Sequence, residues 1–227
     1  MSIRTVKLAG GEFFHIYNRG NSKQEIFLDD EDRDRFIKLL YLCNSEKRFN
    51  FREDIVKKHI DVWDYERGST IVAIGAWVLM PNHFHLYISS MIKEDDKNEK
   101  LISIFINKLC TGYSMYFNKK YNRTGKLFEN KFKSVHISEE VQAKYLFSYI
   151  HLNPVKLIQK DWKEVGIKDK QKALTFLESY KPSSYLEYLG IERKENKILN
   201  KENFLSYYKT TKDFKKEIFQ WLALGNS

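Results

Sequence analysis

The apolar positions of this chain change period several times, and each change marks an element. Glu12–Asn18 is rich in Phe and Tyr with one Ile, which fits a strand, and Arg19-Gly20-Asn21-Ser22 ends it with turn chemistry. From Asp29 to Glu46 the spacing becomes three and four, at Phe36, Leu39, Leu40 and Cys43, with Asp29 and Asp30 suited to a helix start. Residues 47–69 are mixed and charged and read as an irregular connection with room for one helical turn. Thr70–Met80 is apolar enough for a buried strand, Pro81-Asn82 signals a tight turn, and His83–Ser90 alternates clearly. These two runs predict a hairpin. Glu94–Asn98 reads as a charged loop. Lys100–Asn118 reads as a long amphipathic helix carrying Leu101, Ile104, Phe105, Leu109, Tyr113, Met115 and Tyr116. Lys126–Ile137 alternates like a strand. Ser138 is then expected to cap a helix with Glu139 and Glu140 in its first turn, running to about Asn153, where Pro154 stops it.

The first six elements in this order are strand, helix, strand, strand, helix, strand. That is the βαββαβ arrangement of an α+β, ferredoxin-like domain. Its antiparallel sheet carries helices on one face, which leaves the other face for a site or a partner. The helix ending at Asn153 completes a first unit, residues 1–155. Residues 156–227 follow as a basic, mostly helical C-terminal extension, with helices expected at Gln171–Tyr180, Ser183–Gly190 and Lys201–Leu224. There is no internal repeat and no low-complexity block.

Composition narrows the class of partner. Of 227 residues, 42% are hydrophobic and 15% aromatic, enough for a real core. The net charge of +9 favours a polyanion, nucleic acid before an anionic membrane surface, although a lysine-rich solvated surface would give the same figure. Two cysteines without a CxxC spacing support neither a disulfide framework nor a zinc ribbon. The start, MSIRTVKLAGGEFF, lacks the apolar core of a signal peptide. The apolar run Ile71–Met80 is too short to cross a bilayer, which takes about 20 residues. A cytoplasmic protein without a membrane partner is the plain expectation.

The chemistry is concentrated in two stretches. In Pro81-Asn82-His83-Phe84-His85-Leu86-Tyr87-Ile88, strand alternation sends Phe84, Leu86 and Ile88 to the core and His83, His85 and Tyr87 to the opposite, uncovered face. Two imidazoles at i and i+2 suit joint coordination of one divalent ion, and two ordinary polar residues on a solvated face would look the same. In Tyr145-Leu146-Phe147-Ser148-Tyr149-Ile150-His151-Leu152-Asn153-Pro154, Tyr149 and Asn153 are four apart and share one helix face. Leu146 and Ile150 share another, suited to packing. A half-buried aromatic and a helix-ending Asn are the plain readings of that pair. His15 reads as a strand residue beside the site, and His151, two residues from Tyr149, points away from it. His59 and His136 have no partner in the sequence.

Together the stretches resemble the HUH (His-hydrophobic-His) single-tyrosine transposases, and within them the REP-associated tyrosine transposases. The matching residues are His15-Ile16-Tyr17-Asn18-Arg19-Gly20, Trp77-Val78-Leu79-Met80-Pro81-Asn82-His83-Phe84-His85, Gly125-Lys126-Leu127-Phe128 with Lys131-Phe132-Lys133, and Tyr149-Ile150 with Asn153-Pro154-Val155, spread in order over roughly residues 10–160. The resemblance implies that Tyr149 is the nucleophile and that His83, His85 and Asn153 ligate Mg²⁺ or Mn²⁺. The substrate would be single-stranded DNA beside a hairpin, cut through a 5′-phosphotyrosine link that leaves a free 3′-hydroxyl and is then reversed to join a new end. The enzyme would act as a monomer or a homodimer. Tyr145 is the competing tyrosine but lies outside the YIxxNP setting.

Single-strand binders combine basic tracks with aromatic platforms. Arg19, Lys23, Arg123, Lys126, Lys131 and Lys133 are the candidate DNA contacts, with Tyr17, Phe128 and Phe132 nearby. Lys212, Lys215 and Lys216 could extend the footprint, whereas Trp162 and Tyr185 read as packing residues. Two other classes stay in view: a non-catalytic nucleic-acid-binding protein on the same fold, and a metal hydrolase using the HxH pair, which no HExxH or carboxylate-rich motif supports.

Overall fold

The computed structural model describes residue 8 and residues 10–91, 100–204 and 210–223, with residues 222 and 223 described for their backbone alone. The predicted Glu94–Asn98 loop and residues 1–7 lie outside these. Four strands form one antiparallel sheet: β1 (Phe13–Arg19), β2 (Val72–Met80), β3 (His83–Ser90) and β4 (Lys133–Ile137), in the order β2-β3-β1-β4. The chain enters α1 (Asp30–Cys43) after β1 and α2 (Leu101–Lys120) after β3, then α3 (Glu140–Leu152) after β4. This is the α+β, βαββαβ order that the sequence predicts.

Alternation explains how one set of strands builds two layers. Phe14 and Ile16 of β1 and Phe84, Leu86 and Ile88 of β3 are buried in one cluster with Phe36, Leu39 and Leu40 of α1 and Phe105, Leu109 and Tyr113 of α2. β2 is apolar on both faces, and its phase shifts at a bulge between Ile74 and Ala76. Val72, Ile74, Trp77 and Leu79 therefore join the α1/α2 side, while Ala73, Ala76, Val78 and Met80 join the other. Gly75 sits at that bulge because a Cβ there would fall 2.7 Å from the Phe204 ring.

The second face is not free. α3 lies across it, and the extension packs behind, with Trp162, Leu177, Tyr185 and Phe214 buried in the same cluster as Leu146 and Ile150. Trp162 and Tyr185 are thus packing residues, as expected. The extension contributes α4 (Trp162–Val165), α5 (Lys170–Ser179), α6 (Tyr185–Tyr188) and α7 (Thr211–Ala223). The long helix expected over 201–224 is instead a short 3₁₀ turn, Lys201–Asn203, and α7. Residues 182–184 also cover the edge of β2: Leu79 donates its N–H to Pro182 O, and Ser184 N–H to Trp77 O, both at 2.9 Å. An edge strand left bare invites pairing with another chain. Among the described residues no helix is long and apolar enough to cross a membrane.

Three local expectations need correcting. The strand predicted from Lys126 begins only at Lys133, because Leu127 and Phe128 are adjacent and both buried, which breaks alternation. The chain there loops back onto β1, with Asn21 N–H on Leu127 O and Glu129 N–H on Arg19 O. The α3 cap is Glu139 rather than Ser138, and its side chain makes no capping bond. The connection over residues 47–69 holds two short turns, Phe51–Val56 with π-type and Val62–Asp64 with 3₁₀-type hydrogen bonds.

Candidate active site

The hairpin turn at Pro81-Asn82 is two residues long, so Met80 faces His83 and the register of β3 is fixed. Pairing with β1 then sets Arg19 opposite His83, Tyr17 opposite His85 and His15 opposite Tyr87. All six side chains rise on the face under α3. The end beside the Pro81-Asn82 turn stays accessible, and there a cleft of about 490 Å³ opens, lined by Tyr17, Arg19, Asn82, His83, His85 and Tyr149 together with Glu129, Lys131 and Lys133. The opposite end is sealed: Tyr87 is buried with its ring 5.8 Å from Phe13 and 4.8 Å from Phe204. The uncovered face expected for His83, His85 and Tyr87 is therefore a cleft at one end and core at the other, because α3 and the extension roof it.

Within the cleft the groups are close. The His83 and His85 rings are 4.9 Å apart between centroids, and the Tyr149 ring stands edge-on to His85 at 5.5 Å. His83 Nδ1 lies 2.6 Å from Asn82 Oδ1, which can only accept, so that nitrogen carries the proton and Nε2 keeps its lone pair. His85 Nδ1 is 2.8 Å from His15 Nε2, while His85 Nε2 is buried without a hydrogen-bond partner. If His85 donates to His15, its Nε2 keeps a lone pair, as in an imidazole whose other nitrogen is held by a hydrogen bond while this one ligates a metal. His15 thus stands beside the site as an orienting neighbour. Burial drives these rings neutral: His15 and His83 fall to about 4, and His85 falls well below the usual value, helped by His15 and His83 themselves.

α3 brings Tyr149 and Asn153 to the same place. Burial raises the Tyr149 pKa, and the neighbouring Asn153 carboxamide opposes the shift. Asn153 is 1% exposed, does not line the cleft, and makes no hydrogen bond of ordinary geometry through either Oδ1 or Nδ2. A buried amide left unsatisfied costs about 1–3 kcal/mol, so this one stands in want of a partner. Among the described residues no three His, Cys, Asp or Glu side chains are grouped to hold a metal. A three-donor site here would rest on His83, His85 and the Asn153 carbonyl. Two further groups lie nearby. His151 is fully buried with Nδ1 on Phe147 O and Nε2 on Ser184 Oγ. Tyr145 is half exposed, its ring parallel to Tyr149 within 7° at 6.2 Å.

The six candidate DNA contacts separate into two groups. Arg19, Lys131 and Lys133 line the cleft. Arg19 is held there by Glu129, both carboxylate oxygens lying within 3.1 Å of Nη2. Lys23, Arg123 and Lys126 do not line it: Lys23 is exposed in the turn after β1, Arg123 sits over Phe117, and Lys126 is exposed beyond α2. His136 has a partner in Glu12 at 2.9 Å. One residue was missed altogether. Lys163, on α4, holds its ammonium 3.8 Å from the centre of the Tyr149 ring. No spacing rule links it to the motifs, and only the fold brings it there.

Fold and site together define a ferredoxin-like sheet with a His-His-Tyr cleft beneath a helical roof, and Asn153 buried behind Tyr149. No family model and no curated protein matches this sequence. Among solved structures the chain is similar to a REP-associated tyrosine transposase bound to a REP hairpin, with 14% identity over 86% of this chain and 90% of that one and a TM-score of 0.47. A likeness that distant carries no conclusion about activity.

Proposed function

We propose that this protein is a metal-dependent transposase-type nuclease that cuts and rejoins single-stranded DNA through Tyr149. The observation that carries the reading is the pair of unsatisfied, buried donors, His85 Nε2 and Asn153 Oδ1, beside a phenol and a second neutral imidazole. Each orphan costs stability, and although Trp77 Nε1 and Trp162 Nε1 are also buried unpaired, the pair beside the phenol and the imidazole is the set that one ligand would satisfy together. The donors fit a hard or borderline divalent ion such as Mg²⁺ or Mn²⁺: two neutral nitrogens and one amide oxygen. His83 and His85, through Nε2, and Asn153, through Oδ1, would hold it. Bound there, the ion supplies Lewis-acid polarisation of a phosphate.

The side chains divide the remaining work. Tyr149 supplies the nucleophile: its Oη–P bond forms as the P–O3′ bond breaks, the phenolic proton leaves, and the departing 3′-oxygen takes one up. The phosphodiester bond is stored on the protein, so rejoining needs no nucleotide hydrolysis. Arg19, Lys131 and Lys133 bind the strand's phosphates along the cleft, where an incoming phosphate competes with Glu129 for Arg19. His15 fixes the His85 tautomer. The fold's residues 1–155 form the catalytic unit, and the 156–227 extension roofs it.

The test is incubation with single-stranded hairpin oligonucleotides and Mn²⁺, followed by denaturing gel analysis. A covalent protein–DNA adduct is expected, absent in Tyr149→Phe and on chelation of the metal. Binding without an adduct would instead favour a non-catalytic nucleic-acid-binding protein on this fold.

A further inference from the structure

Lys163 belongs to the extension, outside every stretch that carries the resemblance, yet it faces the reacting group. α4 is anchored by Trp162, which is buried in the cluster beneath the sheet's second face. The next residue turns the other way, and its ammonium lies over the Tyr149 ring at 3.8 Å. Its positive charge is felt at both His15 and His85. Lys156 adds a second positive field, acting on His83, His85 and Lys163 itself. Glu164 offsets it only in part, as the smallest of the influences on Lys163. Burial and Lys156 together bring the Lys163 pKa down to about 8.

This arrangement concentrates positive potential around a phenol and two neutral imidazoles. Two ammonium groups acting on one site raise the local positive potential and favour the approach of an anion. The anion the cleft would receive is a phosphodiester. The ammonium sits over the ring, where the aromatic quadrupole attracts a cation. That position suits charge stabilisation rather than proton removal. We propose that Lys163, which stands over Tyr149 just outside the cleft lining, is a phosphate-binding residue, holding a non-bridging oxygen of the phosphodiester that Tyr149 attacks. The assignment rests on the proposed nuclease reading for its catalytic part, and on binding alone for the rest. The extension then supplies a working group to the site as well as a roof.

The experiment uses the full chain in a Tyr149→Phe background for binding and with Tyr149 intact for adduct formation. For single strands, each phosphate neutralised contributes about −0.7 to the slope of log K against log salt. Lys163→Met is expected to make that slope shallower by about 0.7, and Lys163→Arg to retain it, with thermal unfolding of both variants unchanged. With Tyr149 intact, Lys163→Met should slow adduct formation at least tenfold, and Lys163→Arg should recover part of the loss. A Lys163→Met slope equal to that of the parent overturns the assignment, whatever its effect on rate, because a structural role would not carry a phosphate contact. A missing adduct in the wild-type chain with the slope change intact overturns the nuclease reading and leaves the phosphate site standing.

Discussion

The two faces of the sheet are made from alternate residues of the same strands, yet they solve opposite problems. On one face Phe14, Ile16, Phe84, Leu86 and Ile88 meet α1 and α2 in an apolar layer. On the other, His15, Tyr17, His83 and His85 meet α3 and Lys163, with donors buried and unpaired. The first face gains stability from the rings and aliphatic side chains it buries, although Trp77 Nε1 is left there without a partner. The second gives some of it back. A sheet needs only one good hydrophobic layer to hold together when a second, at the Tyr87 end, closes the roof. That leaves the His83–His85 end able to keep groups that serve a ligand rather than the fold.

The largest effect expected from this contrast is on the apolar face. Phe84 is fully buried, with Phe36 at 5.0 Å and Phe128 at 6.1 Å between ring centroids. Phe84→Ala should cost roughly 3–5 kcal/mol in urea unfolding, a large part of a domain's stability. Its neighbour on the strand, His85→Ala, should cost far less and yet abolish adduct formation. If the two variants lose similar stability, the division of labour between the faces is wrong.

Next comes the metal ion proposed for the second face. An ion that binds the folded state alone stabilises it by about 2.7 kcal/mol at 100 times its dissociation constant. Titrating Mn²⁺ should therefore raise the unfolding temperature of the wild-type chain and leave that of His85→Ala unmoved. An equal rise in both would place the ion elsewhere.

The pH dependence follows from the same burial. His15 and His83 have pKa values near 4 in the fold against about 6.5 when exposed. Between those values the unfolded chain binds protons that the folded chain refuses, so stability is complete above pH 6.5 and falls as the pH drops towards 4. Each independent imidazole contributes a slope of about 1.4 kcal/mol per pH unit in that window. Unfolding measured from pH 7 to pH 4.5 should show this decline. Stability that is flat or rising on acidification would mean the rings are not shielded as described.

How much of this could be read from the sequence depends on whether a signal was local. Strand alternation gave His83 and His85 one face, and the spacing of four put Tyr149 and Asn153 on one side of a helix. Those are properties of a single element, and the structure bears them out. The roof over the second face was invisible, because it is built by Trp162, Leu177, Tyr185 and Phe214 from elements far along the chain. Lys163 was missed for the same reason. The Lys126 strand failed where two adjacent buried residues, Leu127 and Phe128, replaced alternation with a local loop. His15 was expected on the strand next to the histidine pair, and its bond to His85 needed the β1–β3 register.

The smallest effect is the sharpest test, because it separates two buried asparagines. Asn44 is fully buried on the α1 side, where Nδ2 donates to Val72 O at 2.8 Å and Oδ1 accepts from the N–H groups of Ile71 and Val72 at 3.0 Å. Replacing it with Leu strands three backbone groups and should cost about 1–3 kcal/mol or more. Asn153 is as deeply buried, yet neither of its polar atoms makes a hydrogen bond of ordinary geometry, and its carboxamide lies only close enough to Tyr149 to oppose the rise of the phenol's pKa. Leu at that position removes two unsatisfied groups and fills nearly the same volume. Asn153→Leu should therefore leave stability within about 1 kcal/mol of wild type or raise it, while the Mn²⁺-induced stabilisation and the adduct both disappear. A loss of stability comparable to that of Asn44→Leu would show that Asn153 serves the fold, and the third donor of the proposed metal site would have to be sought elsewhere.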